Sequence, residues 1–309
     1  MFFWRADGKK VRGLGGTARM NPLFLGRRSQ SINYFKFHVP VDVWDDFIKA
    51  KEAEGLTYTY RDIMVASLIR IFKTRPQLNR FIVGGRLYQR KHIDFAMMVH
   101  KSLRTGAEEA ALKVRYTGYE TIGEIKQKLD AEIHKAVHEK NGYDGFDRFF
   151  RRAPLCVLKF FVGALRFFDR FGMLSAKTLF QVSPFHSSIY FADMKSIKMP
   201  YIYHHLYRFG NCGFFLSMGM PKMEAVVNDD GQVVPRKMIQ MGVAVDDRVL
   251  DGLYFSRSIK GFMRWCSDPS ILENPLEEHE IYHELTPKEK RKKAKIKASQ
   301  KEAKGVISS

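Results

Sequence analysis

Val243-Ala244-Val245-Asp246-Asp247-Arg248-Val249-Leu250-Asp251-Gly252 is the stretch on which the reading of the chain turns. An apolar, β-branched run ends in a dense charged turn, and a helix begins at Asp251-Gly252. Phe255, Ile259, Phe262 and Cys266 then recur at helical spacing, so one face of that helix is built for burial. Charges clustered where a strand hands over to a helix are a common place for a site. They are equally the ordinary makings of a capped turn.

The flanking segments favour strands joined by hairpins. Asn228-Asp229-Asp230-Gly231 marks a turn whose return strand runs through Met238 to Val245, and further strands are expected at 188–192 and 213–218. Asn33, Phe35, Phe37 and Val39 alternate along 32–39, as do Ile93 to Val99 and Leu112 to Tyr116. Gly84-Gly85 between Val83 and Leu87 is a two-residue hairpin signal. Helices are expected after Asp42, read as a cap, from Thr59 to Lys73 before Pro76, and from Thr121 to about Glu139. The apolar block 153–171 is interrupted by Lys159, Arg166 and Asp169, too often for a membrane span. Arg152, Lys159 and Arg166 form a basic stripe that suits either a membrane-surface helix or a core helix with one wet face; the second is the expectation. Hairpins in place of helical crossovers predict an α/β fold of the α+β two-layer sandwich kind, with a mixed β-sheet covered by helices.

At 309 residues and 45% hydrophobic composition the chain can bury a large core. Three parts are expected: an irregular, Arg- and Gly-rich arm over 1–29, a folded domain over 30–280, and a basic disordered tail over 281–309. The net charge is +19, and Thr286 to Ser309 holds nine Lys/Arg against Glu289 and Glu302. Such a tail suits nucleic acid or an anionic membrane surface, although solvation alone is its commoner role. Cys156, Cys212 and Cys266 have no metal or redox spacing, and the N-terminus lacks a signal-peptide pattern. A reduced, cytoplasmic protein is expected. His134 and His138 lie four apart without an evident third ligand, so no metal site is expected.

Asp246-Asp247-Arg248-Val249-Leu250-Asp251-Gly252 resembles the Asp-His-Arg-x-x-Asp-Gly signature of the dihydrolipoyl acyltransferase catalytic domain of 2-oxoacid dehydrogenase complexes, in the chloramphenicol acetyltransferase-like superfamily. Pro76-Gln77-Leu78-Asn79 is similar to a Pro-x-x-Asn helix ending of that family, and the hairpin through Asp230-Gly231 and Pro235 to Met238 is similar too. The resemblance spans roughly residues 30 to 275. It implies a coenzyme A-dependent acyltransferase with acyl-coenzyme A as substrate, an acyl donor or carrier thiol as partner, and a trimer-based homo-oligomer. No covalent lipoyl domain is expected in this chain.

The resemblance implies that a signature His deprotonates the thiol, that the Asp of Asp-Gly holds local geometry through an Arg, and that a strand Ser stabilises the oxyanion. Here Asp247 holds the His position, and Ala192 of Phe191-Ala192-Asp193-Met194-Lys195 falls where the Ser belongs. A solvated carboxylate removes a thiol proton with roughly 3.5 kcal/mol less driving force than imidazole. A lost oxyanion donor costs roughly 3 kcal/mol more. The candidate site residues are therefore Asp247 as an altered base or a relic, Asp251 as its organiser or a helix cap, and His204 or His205 as a substitute imidazole. Arg27 or Arg28 is the expected partner of Asp251. The alternative function is a catalytically inactive acyltransferase-fold protein acting as a binding or assembly module.

Overall fold

The computed structural model describes residues 5–101, 109–138, 152–175 and 183–282. Its centre is the 14-residue strand β10 (Val233–Asp246), long enough to serve two neighbourhoods. The inner half pairs antiparallel with β2 (Ile32–Pro40) on one side and β8 (Phe214–Met218) on the other. Its outer half makes the expected hairpin with β9 (Lys222–Val227). The sheet continues from β8 to β7 (Ile189–Asp193), β5 (Ile93–His100) and β6 (Glu109–Tyr116). Strand β7 runs parallel to both neighbours, whereas all other pairings are antiparallel. The sheet is therefore mixed, as the hairpin-rich pattern predicts.

Alternation along the strands assigns the two faces. Ile239, Met241, Val243 and Val245 point to a large apolar core with Phe214, Leu216, Phe191 and Phe95. Helices α3 (Tyr60–Thr74), α4 (Ile122–His138) and α6 (Gly252–Ser267) contribute to that core. Helix α3 is buried almost all round, and Arg70 within it donates to the carbonyls of Ile271 (3.2 Å) and Asn274 (2.6 Å). Thr59 caps α3 in a capping box with Asp62. The outer helix α2 (Asp42–Ala53) buries Trp44, whose indole N–H donates to the Cys266 carbonyl (2.6 Å). Val41 occupies the cap position of α2, so Asp42 is its first residue and not its cap; the Asp42 carboxylate instead accepts from Arg236 (2.8 Å).

The opposite face carries Tyr190, Phe215 and Ala244, covered by Leu206 and Cys212. Gly242 on this face shows how close the cover lies. A Cβ there would sit 2.3 Å from the Ile202 carbonyl oxygen and 2.8 Å from the Tyr201 ring. Gly242→Ala is accordingly expected to push residues 200–206 off the sheet and to lower stability by about 2–3 kcal/mol. Urea unfolding measures this; a loss within about 0.5 kcal/mol would mean that the cover moves freely.

The arm is more ordered than its Arg/Gly composition predicts. It holds β1 (Gly8–Lys10) and α1 (Gly16–Phe24), and β1 joins β4 (Arg86–Arg90) and β3 (Arg80–Val83) in a small second sheet. The Gly84-Gly85 hairpin forms as expected, with both glycines at positive φ. The apolar block forms α5 (Leu155–Arg170), yet no residue of it is buried, which overturns its reading as a core helix. Among the described residues no helix is long and apolar enough to cross a membrane. The basic tail beyond residue 282 lies outside the described residues.

Candidate functional site

The turn after β10 is organised by Asp246. Strand alternation puts its side chain on the face of Gly242 and Ala244, where it is buried. Arg248 grips it with two donors, Nε to Oδ1 at 2.8 Å and Nη2 to Oδ2 at 2.7 Å. A second guanidinium, Arg28, stands 3.7 Å away. Both arginines are tied in turn to backbone carbonyls. Arg248 donates to Gly26 (2.7 Å), and Arg28 donates to Tyr207 (2.9 Å) and Gly210 (2.8 Å). The arm, the turn and the 207–210 loop thus meet at one carboxylate. Burial pulls Arg28 below its usual pKa, with Asp246 opposing.

This arrangement corrects the expected pairing. Arg28 serves Asp246, and Asp251 caps α6, its side chain accepting from the Tyr254 N–H at 2.8 Å. The Tyr254 hydroxyl oxygen accepts from the Gln77 N–H (3.2 Å), linking α6 to the 3-10 turn Pro76–Asn79. Burial pushes the Tyr254 phenol up to about 12. Asp247 is half-buried and held through its backbone N–H on the Ser31 carbonyl (2.9 Å). No hydrogen bond or ion pair of its carboxylate occurs among the described residues.

Ala192 lies on β7, directly paired with Ser217 of β8. Ser217 is the hydroxyl nearest in register to the position where an oxyanion donor is expected, but it is already engaged. It donates to the Ile202 carbonyl (2.5 Å) and accepts from the Ile202 N–H (3.0 Å), stapling the cover to the sheet. His204 stacks flat on Phe215, centroids 4.1 Å apart, and its Nδ1 lies 2.7 Å from the His205 carbonyl. A carbonyl only accepts, so Nδ1 carries the proton and Nε2 is left as the basic nitrogen of the neutral ring. Burial lowers the His204 pKa, the His205 carbonyl opposing and the His205 ring adding to it. His205 is exposed and packs against Tyr207. The loop bearing both rings reaches the turn through Arg28, which bridges the Tyr207 carbonyl and Asp246.

On the other side of the turn a cleft of about 350 Å³ opens between the arm and α6. Gly13–Ala18, Gln77, Arg80 and Arg248–Asp251 line it, and Asp247 does not. Its size is within the usual range for a small-molecule site. The start of α1 and Arg80 bring positive potential to it, Asp251 brings a carboxylate, and the Arg248 guanidinium is taken up by Asp246 and the Gly26 carbonyl.

No family model matches the sequence, and no curated protein matches it. Solved structures do match. A probable dihydrolipoamide acetyltransferase from Listeria monocytogenes superposes with a TM-score of 0.52 at 14% identity, over 84% of this chain and 94% of that one. The cubic core of the pyruvate dehydrogenase multienzyme complex gives a TM-score of 0.56 at 12% identity, covering 83% and 88%. A chloramphenicol acetyltransferase gives 0.52 at 12% identity, covering 84% and 99%. The chain has the acyltransferase-core fold.

The turn after β10, the 3-10 turn Pro76–Asn79 and the β9–β10 hairpin all form where the sequence predicts them. His134 and His138 stack on each other on α4 (4.5 Å), and no metal-binding group of His, Cys, Asp or Glu occurs among the described residues. Sequence reasoning missed a buried polar cluster under the second face of the sheet. Arg5 bridges Asp7 (2.9 Å) and Asp169 (2.6 Å), and His186 lies 3.4 Å from Asp169. Arg90 donates to Asn211 (2.7 Å), which donates to Asp7 (2.8 Å). Burial works to raise the Asp7 carboxyl, but the hydrogen bond and charge of Arg5, with Arg90 and Asn211, hold it down at about 2. Among the described residues Ser183 Oγ and Ser187 Oγ make no hydrogen bond and are buried, whereas His186 and Arg90 Nη1 keep only long ion-pair contacts, with Asp169 at 3.4 Å and Asp7 at 3.9 Å. The members of the cluster come from distant segments, and only Asp7 after Arg5 offers a local signal.

Proposed function

We propose that the chain uses the acyltransferase-core fold as a binding and assembly body, a trimer-based homo-oligomer that takes an acyl-coenzyme A or acyl-carrier thioester without turning it over. The observation that carries this reading is a pair of residues, Asp247 in the turn and Ala192 on β7. Asp247 stands free where a thiol base is needed, and Ala192 stands where an oxyanion donor is needed, with the neighbouring Ser217 hydroxyl committed to Ile202. The cleft beside Asp251 is the place for the ligand, with Arg80 and the start of α1 facing the phosphates. The cubic core named for one structural neighbour supports the assembled state.

Coenzyme A-dependent acyl transfer is the second reading. The His204 tautomer favours it, because Nε2 is the nitrogen a general base needs. In that scheme His204, with Asp247 in the turn, takes the acceptor thiol's proton; the thiolate attacks the acyl carbonyl, the donor's own C–S bond breaks, and the departing thiolate takes the proton back from His204. Purified protein should bind acyl-coenzyme A by calorimetry yet give no thiol release above buffer over a panel of acyl donors. Turnover that Asp247→Ala or His204→Ala abolishes would establish the enzyme instead. Absence of binding together with absence of turnover would overturn both readings.

A further inference from the structure

Helix α5 lies on the outside of the body it is attached to. Its 16 residues span about 24 Å, and none is buried. Phe160 is 79% exposed, Phe167 56% and Val157 43%. At 100° per residue these three share one sector of the helix, and Lys159, Arg166 and Arg170 fill the sector next to it. The only acid of the helix, Asp169, is turned inward and bound by Arg5 at 2.6 Å. The outward surface is therefore aromatic with a purely basic rim.

The end of α1 extends this surface. Leu23 is 62% exposed and Phe24 76% exposed. A Cβ on Gly85 would lie 3.5 Å from Leu23, and one on Gly84 4.0 Å from Arg170 of α5. The β3–β4 turn is thus the shared floor between the two helices. Residues 5–31 carry seven basic side chains against the single acid Asp7.

We propose that the outer face of α5, with Leu23 and Phe24 of α1, rests on an anionic lipid surface. Apolar area alone would serve a protein partner equally well. The charge decides: a second copy would bring the same basic rim, whereas an anionic bilayer neutralises it. The helix lies in the interface and does not cross it, since Lys159 and Arg166 interrupt every run long enough to span. Arg5 and Asp169 fix its C-terminal end to the body, so the whole protein would be carried to the membrane.

Flotation of the full chain with phosphatidylcholine vesicles, with and without phosphatidylglycerol, tests this. Binding is expected only with the anionic lipid and should fall steeply with added salt. Phe160→Glu with Phe167→Glu should abolish it, and Lys159→Glu with Arg166→Glu should weaken it by about 25-fold or more, at about fivefold per basic group. Both variants alter exposed positions, and unchanged unfolding midpoints and oligomer size would show that the fold is retained. Failure of the wild type to float with phosphatidylglycerol would overturn the proposal. So would a Phe160→Glu, Phe167→Glu variant that breaks into smaller oligomers, because the face would then be an interface between copies.

Discussion

Asp246→Ala is expected to destabilise the protein by about 3–5 kcal/mol, enough to consume much of the stability of an ordinary domain. The carboxylate is buried between Arg248 and Arg28, and its removal leaves two guanidiniums out of water with no counter-charge. It also frees the arm and the 207–210 loop, since both are fastened to the turn by these same arginines. Asp247→Ala, one residue along, should change stability by no more than about 0.5 kcal/mol, because its carboxylate holds nothing. Denaturant unfolding of the two variants separates a structural carboxylate from a spare one. Equal losses would show that Asp247 has a partner in the folded protein. Arg248→Met combined with Asp246→Ala should cost less than Asp246→Ala alone, the sign of coupling within the trio.

The turn was largely legible in the sequence. A period-2 run changing to a period-3.6 run at Asp251-Gly252 fixes where β10 stops and α6 starts, and Asp251 is the natural cap. That an arm arginine would come to the turn was legible as well. Its acceptor was not, because the resemblance drew attention to Asp251. Strand parity held the answer: Asp246 shares the face of Ala244, and that face turns toward the arm and the cover. Helix α5 was misread for a different reason. Periodicity shows that a helix has an apolar side, but nothing in 153–171 says whether protein covers it. The polar cluster of Arg5, Asp7, Arg90, Asp169, His186 and Asn211 was beyond reach because five separate segments supply it.

Fold and chemistry rest on residues of different physical kinds. Core positions along β10, β8 and α3 need only be apolar and of fitting size, so they tolerate the drift implied by 12% identity while the architecture stands. A thiol base and an oxyanion donor are single groups with no substitute of similar shape. Asp247 and Ala192, where the resemblance in sequence leads one to expect them, carry neither group; Ala192 packs against the second-face cluster instead. The Ser217 hydroxyl is committed to the fold. On the strand beside Ala192 it fastens the cover at Ile202, a structural duty that leaves it no donor for a substrate.

The buried face beneath that cover also gives the protein a pH response with a defined sign. Lys113 is buried, and desolvation depresses its ammonium from the usual 10.5 to about 7, against the attraction of Asp94 and with Arg90 and Arg115 adding repulsion. Asp94 is itself shared with Arg115 at 2.7 Å, and Asp7 is farther off with its own arginines. Below about pH 7 the lysine is charged in both the folded and unfolded chains, and the native state bears the full cost of burying it. Between about 7 and 10.5 the unfolded chain binds the extra proton, so stability rises with pH across that window. The rise amounts to on the order of 4 kcal/mol. Lys113→Met removes this dependence while keeping the side-chain length, and the loss of the 3.1 Å hydrogen bond to the Ser183 carbonyl does not vary with pH. Urea unfolding of both proteins from about pH 7 to pH 10 should therefore show wild type gaining several kcal/mol relative to the variant as the pH climbs. Parallel curves would mean that Lys113 keeps an ordinary pKa and that water reaches its ammonium in the folded state.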